Sequence, residues 1–490
     1  MRAFVFLILV PLLSAQGPVP EADPKNLTAM VSFLASDALK GRDTPSEGLD
    51  IAAEYIASEF RRAGLEPLSG SSYFQTARMR LRRVNREGFT LNFTEGEKNI
   101  SIPGEKTFWT AKPALNLTGA KVRKLKVEAA LAATEKIMDP VVILAAERPS
   151  PAVQRAITRL SNDGVALVVL LDMPVPLPAQ ALEFEDQPTP PTIYLRTTDA
   201  SATEWMKQLP EGATNAKANV NIAGASTQEQ TVRNVLAKIS GNISNEYVLL
   251  SAHYDHLGVS PREDADRIFN GANDNASGVA SLLEAARLIQ ASGEKPAKSL
   301  IFAAWFGEER GLLGSRYFTR NPLVPLAQIK ANLNLEQTGR TDGDGATNLN
   351  QANLTGYHFS NIHASLEKAA SAVGFKFVKH ERFSDPFFTA SDNEAFAQVG
   401  IPATTLSVAY QFADYHRVTD HWEQIDYNNM AKVTRAIAQG MLELARSETK
   451  ISWDEANEKT KAFVEAGKRL LLAAPIQPAL STQPTPSTQP

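Results

Sequence analysis

The chain has 490 residues, 43% of them hydrophobic and 21% charged, enough to bury a large core in more than one globular unit. Its 50 basic and 54 acidic residues leave a formal net charge of −4. With the charges mixed along the chain, nothing in them points to nucleic acid or another polyanion as a partner. No cysteine is present, which excludes disulfides, thiolate metal sites and a cysteine nucleophile.

In chain order, Met1-Arg2, the short apolar run from Ala3 to Leu13 and then Ser14-Ala15-Gln16 predict a signal peptide over residues 1–15, cut near Ala15. The run is shorter than the roughly 20 residues needed to cross a bilayer, so no stable membrane insertion is expected after cleavage. An exported chain without cysteine fits a bacterial envelope protein, periplasmic or extracellular. Asn-x-Ser/Thr sequons at Asn26, Asn116, Asn275 and Asn353 are read as chance.

Residues 20–105 read as the first part of the main domain, with Ile51, Tyr55, Ile56 and Phe60 as the apolar stripe of an early helix. The pattern then changes, and residues 106–228 read as an inserted smaller α/β or β-rich domain. It contains strand-like runs at Val141–Leu144, Gly164–Leu171 and Thr192–Leu195, with a helical stretch from Val153 to Leu160. Residues 229–447 return to the main domain. A helical extension follows over residues 448–474, and residues 475–490 are too polar and proline-rich to fold.

Within the second part of the main domain, Tyr247–Ala252 is a β-prone run ending at His253, and Leu300–Phe306 is another ending at Gly307-Glu308-Glu309. Ala331–Leu335 delivers Glu336, and helical spacing of Val279, Leu282, Leu283 and Ala286 separates the first two runs. Alternating strands and helices predict an α/β fold with a mostly parallel central sheet flanked by helices, in which functional groups gather at the carboxyl ends of strands. The imidazoles and carboxylates delivered there are the donor types that divalent metals such as zinc accept.

His253-Tyr-Asp255-His-Leu-Gly258, Gly271-Ala-Asn-Asp274-Asn-Ala-Ser-Gly278 and Gly307-Glu308-Glu309-Arg-Gly-Leu-Leu-Gly314 resemble the motifs of the co-catalytic di-zinc aminopeptidases. That family's wider relatives include glutamate carboxypeptidase, glutaminyl cyclase and the transferrin receptor. Phe33–Arg42, the helix-like Gly48–Gly64, Ser391-Asp392 through Phe396, Gly400-Ile401-Pro402 and Tyr415-His416 with Asp420 extend the likeness, which covers roughly residues 26–100 and 230–445. Residues 106–228 weakly resemble the protease-associated domain often inserted in this family; a lineage-specific insert is the other reading.

The resemblance implies a zinc exopeptidase fold and two zinc ions. His253 and Glu336 would bind one ion, Glu309 and His416 the other, and Asp274 would bridge them. A water between the ions would be the nucleophile and Glu308 the general base, in hydrolysis that frees the amino-terminal residue of a peptide substrate. Asp255 would accept the other ring N–H of His253, and Tyr415 could hydrogen-bond the oxyanion. The same scaffold also admits a carboxypeptidase, a dipeptidase, a glutaminyl cyclase or a non-catalytic binding protein.

Each of these residues also has a plain structural reading. Paired glutamates are commonly a solvated surface, and Asp274 in a Gly/Asn/Ser loop is ordinarily a turn residue or helix N-cap. His256, His358, His363, His380 and His421 are read as core or surface histidines, the first and last merely near the site. Two departures from the family pattern stand out: Glu336 occupies a position where most relatives have aspartate, and Asn393 follows Ser-Asp where relatives often have histidine. Phe383, Phe387, Phe388 and Phe412 suggest an apolar pocket or simply core. Oligomeric state and side-chain preference are not legible in the sequence.

Overall fold

Four apolar runs, too short for helices and bounded by polar motifs, form the centre of one sheet in the order Ala403–Ser407, Ile329–Glu336, Ile243–His253, Lys298–Trp305, with every neighbouring pair parallel. The structure is a computed structural model. It describes residues 19–472 apart from 69, 149, 174–176, 178, 189, 262–264, 344–346, 447 and 449. The signal peptide expected at 1–15 and the tail expected at 475–490 lie outside the described residues.

The chain divides into two units, Met1–Ala77 with Val232–Pro490, and Arg78–Thr231. In the first, Val248, Leu249, Leu250, Ile301, Phe302 and Leu333 are fully buried, as expected of parallel strands covered on both faces. Ser226–Ile239 adds antiparallel beside Lys298–Trp305, and Gln351–Leu354 adds antiparallel beside Ala403–Ser407. Parallel neighbours need crossovers, supplied by the helices Gly278–Ala291 and Leu313–Arg320. The former packs with Pro24–Leu34 and Tyr427–Arg446. The latter packs with Asn393–Gln398, where Trp305, Phe318 and Phe396 share one cluster.

Numbered by their order in the chain, the four central strands lie 4-3-1-2. The chain turns one way after the His253 strand and the other way before the Glu336 strand. Such a reversal opens a crevice at the carboxyl ends of the strands. His253, Glu308-Glu309 and Glu336 all leave strands at that crevice.

The second unit is built on an eight-stranded sheet whose strands Leu115–Lys126, Val141–Ala145, Leu167–Leu171 and Ile193–Thr197 run parallel. The helices Val127–Ala132 and Pro151–Asp163 cover one face and Ala200–Gln208 the other. Ser150 caps the Pro151–Asp163 helix through the Val153 N–H, and Gly164 ends it at φ 89°.

The boundary expected at residue 106 moves back to 78. Thr90–Glu95 pairs antiparallel with Gly212–Ile222, and Leu91 and Phe93 join that unit's core, so these residues bury their apolar face in the second sheet. In the helical extension expected over residues 448–474 the α-helix begins only at Lys461; Trp453 is instead buried against Phe388 and Phe463, its indole N–H donating to the Gly400 carbonyl.

Candidate metal centre

His253 and Glu336 are the last residues of parallel strands, and Gly307, at φ 68°, turns the chain so that Glu308 and Glu309 leave a third strand toward the same crevice. Asp274 comes from the loop before the Gly278–Ala291 helix. Its neighbours tie that loop down. The Asp420 carboxylate accepts the backbone N–H of Asn273 at 3.0 and 3.1 Å and of Asp274 at 3.1 Å. The Asn273 side-chain oxygen accepts from the N–H of Gly339 and Arg340, while the Asn275 amide donates to the Leu335 carbonyl and accepts from the Gln337 N–H. Asp274 makes no N-cap bond to the following helix, so its carboxylate is left to face the histidines.

The two Asp274 oxygens point to different partners. His253 Nε2 lies 3.4 Å from Asp274 Oδ1 and 3.2 Å from Glu336 Oε2; His416 Nε2 lies 3.2 Å from Asp274 Oδ2 and 3.4 Å from Glu309 Oε1. A tetrahedral ion with ligand bonds of about 2.0 Å has ligand edges of about 3.3 Å. The spacings therefore fit two divalent ions, each with one imidazole and one private carboxylate, sharing Asp274.

Packing acids together splits their behaviour. Burial and the charge of Asp274 push Glu309 up, but hydrogen bonds with His256 and His416 prevail and hold it at about 2. Burial, reinforced by Glu336, Glu309 and Asp392 against the pull of His253, raises Glu308 well above the usual carboxylate range. Burial alone would lower His416, yet its bonds to Asp274 and Glu309 bring it to about 10. His253 is likewise raised well above its ordinary value, Glu336 and Glu308 outweighing burial.

Asp255 is placed differently from the expectation. His253 Nδ1 meets the Asp255 backbone carbonyl at 3.2 Å, whereas the carboxylate stands off at 3.6 Å. That carboxylate instead accepts the Glu308 N–H at 3.0 Å and the Thr44 hydroxyl at 3.2 Å, so it fixes the glutamate turn. The Tyr415 ring stacks on His416, centroids 4.0 Å apart, and burial with the nearby carboxylates raises its phenol, keeping the proton available for donation.

The sequence reading passed over two neighbours. His256, fully buried, places Nδ1 2.9 Å from Glu309 Oε1, and its Nε2 has no partner among the described residues. Ser391 donates to Glu336 Oε1 at 2.5 Å and accepts from Asn334, which in turn accepts from Ser251. A second histidine three residues after His253 was the only available signal for the first. Asn393, where relatives often carry histidine, is occupied with the Phe388 carbonyl and the Thr405 hydroxyl. Asp392 is buried on the Ser315 hydroxyl and raised to about 7 by burial. The four remaining histidines stand outside the two triads; the rings of His358 and His363 meet each other, His380 stacks on Phe383, and His421 approaches Asp266.

A cavity of about 180 Å³ is lined by His253, Asp274, Glu308, Glu336, Tyr415 and His416 together with Phe387, Ala390 and Tyr410. Phe383 stacks behind Phe387, while Phe388 belongs to a core cluster and Phe412 lies under the Arg340 guanidinium.

Residues 234–441 match the model of peptidase family M28. The chain is 30% identical over 250 residues to leucine aminopeptidase 2 of Trichophyton rubrum, covering 45% of this chain and 46% of the relative. It is 28% identical over 279 residues to aminopeptidase YwaD of Bacillus subtilis, covering 56% and 55%. It thus spans about half the length of these curated relatives. Among solved structures, an aminopeptidase from Aneurinibacillus sp. strain AM-1 superposes with a TM-score of 0.59 at 19% identity, over 88% of this chain and 96% of that one. BSAP, a zinc aminopeptidase from Bacillus subtilis, does so with 0.53 at 19%, over 89% and 98%. These two likenesses speak for the fold.

Proposed function

We propose that the chain, whose residues 234–441 match the model of peptidase family M28, is a zinc aminopeptidase acting on peptides. The observation that carries this reading is the pair of histidine–carboxylate triads joined through Asp274, with Glu308 beside them and outside both. Two zinc ions held there would polarise the scissile carbonyl and ease deprotonation of a water.

The remaining work falls to the chain. Glu308 takes the water's proton as the oxygen bonds to the carbonyl carbon, then passes it to the amine as the C–N bond breaks. Asp255 holds the Glu308 backbone in place, and Tyr415 is positioned beside His416 to donate to the developing oxyanion. The cavity receives the first side chain. Export through residues 1–15 to a periplasmic or extracellular location belongs to the same proposal. Among the described residues no helix is long and apolar enough to cross a membrane.

Metal analysis of protein lacking residues 1–15, together with hydrolysis of free-amine, amine-blocked and carboxyl-blocked peptides, tests the reading. Two zincs per chain and cleavage that requires a free amine are expected. Cleavage that requires a free carboxylate would make it a carboxypeptidase, and bound metal without hydrolysis would make it a binding protein.

A further inference from the structure

One neighbour of Glu309 stands outside both triads. The His256 ring is fully buried with Nδ1 2.9 Å from Glu309 Oε1, the oxygen that also lies 3.4 Å from His416 Nε2. Together with Asp274 and Glu309 it makes a donor set that could itself surround a cation. Nδ1 therefore has two possible uses: its lone pair could bind the second ion, or a proton on it could hold Glu309.

The surroundings decide between them. His256 Nε2 is buried and has no partner among the described residues. Placing a neutral ring's single proton there would strand an N–H and turn the Nδ1 lone pair toward a carboxylate, whereas placing it on Nδ1 satisfies both that nitrogen and Glu309. The 2.9 Å separation is a hydrogen-bond length, shorter than the ligand edge of about 3.3 Å around a tetrahedral ion. The ring is also held where it is. A Cβ on Gly271, in the loop before Asp274, would come within 2.5 Å of its Cγ and Cδ2, and its own backbone N–H donates to the Arg42 carbonyl at 3.3 Å. Once His416 Nε2 faces an ion it can no longer donate to Glu309, and the bond from His256 remains.

Resting on the two-zinc reading, we propose that His256 is a positioning residue for the second ion: its Nδ1–H fixes the Glu309 carboxylate ahead of metal binding and so tightens that site, without itself becoming a ligand.

The test compares His256→Leu with His256→Asn, whose side chains are nearly equal in size; only asparagine offers an N–H at the same number of bonds from the backbone as Nδ1. Zinc affinity is measured by titrating the metal-free proteins against a chromophoric chelator, and anomalous scattering from crystals grown at limiting zinc shows which position empties. His256→Leu should lose about 10–100-fold in affinity at the Glu309–His416 position, with the His253–Glu336 position unchanged and near-wild-type affinity in His256→Asn. His256→Ala makes the same comparison should the leucine protein not fold. Equal affinity in the wild type and in the variants without the N–H would overturn the proposal and leave the zinc reading standing. An equal loss in His256→Leu and His256→Asn would also overturn it and make His256 a ligand, since an amide nitrogen does not replace an imidazole on the ion. Hydrolysis enters none of these readings, so the expected pattern in a protein that cleaves no peptide supports the positioning role and sinks the aminopeptidase reading alone.

Discussion

Glu308 and Glu309 are chemically identical neighbours that the fold sends in opposite directions, one up out of the usual carboxylate range and one down to about 2. What separates them is hydrogen bonding: Glu309 gains His256 and His416, whereas for Glu308 burial and like charge outweigh the pull of His253. The expected consequence is that Glu308→Gln lowers kcat by about 10²–10⁴-fold while zinc content, read by mass spectrometry, stays at the wild-type value. A second consequence concerns protons. His416 lies at about 10, so in the metal-free protein it carries a proton at pH 7, and His253 is raised in the same direction. A protonated imidazole cannot bind a cation, so zinc uptake must expel the His416 proton and affinity must rise with pH. Calorimetric titration with zinc at pH 7 in two buffers of different ionisation enthalpy should show release of at least one proton per chain. Of this chemistry, His253, Glu309 and Glu336 are legible in the sequence at the ends of apolar runs, whereas Asp274 and His416 rest on the family resemblance. The part played by His256 is not, since it depends on Glu309 from a distant segment.

At the scale of elements, the loops that hold the ligands are fastened by a side chain that touches none of them. Arg42 is 1% exposed and donates to the backbone carbonyls of Leu34, Tyr254, Asn270 and Gly271, joining the end of the Pro24–Leu34 helix to the loops on either side of the ligands. Burial lowers its guanidinium to about 10, still charged at neutral pH. Arg42→Met would leave those carbonyls without a donor, and urea unfolding should report a loss on the order of 3 kcal/mol or more. The sequence reading drew Gly41-Arg42 only as part of a family likeness; that the cation pairs with carbonyls and no carboxylate follows from backbone geometry. The strand Thr90–Glu95 illustrates another limit. Leu91 and Phe93 alternate with polar residues, but period-two alternation does not say which sheet a strand joins, and so the expected boundary fell late.

Over the whole molecule, the ligands span residues 253 to 416, so ions bound among them bind only the folded chain. Chelation should lower Tm by several degrees, since ligand at about 100 times its Kd stabilises by about 2.7 kcal/mol. An unchanged melting temperature would count against an occupied site. The two-unit division leads to a further expectation. The Leu236 N–H donates to the Tyr73 carbonyl at 2.7 Å, so the chain leaves the first unit and re-enters it at neighbouring positions. Replacing residues 78–231 by a short Gly/Ser linker should give a folded protein that still binds zinc, checked by circular dichroism and metal analysis.

The clamp of Asp420 on the Asp274 loop sets an order of events during biosynthesis. Until the chain has been made and folded past residue 420, Asp274 has neither its fixed loop nor its second histidine. A growing or translocating chain therefore carries scattered carboxylates and imidazoles but no high-affinity trap for cations. On the zinc reading, metal would be acquired in whichever compartment the chain finally folds, and the ion taken would be decided by what that compartment supplies.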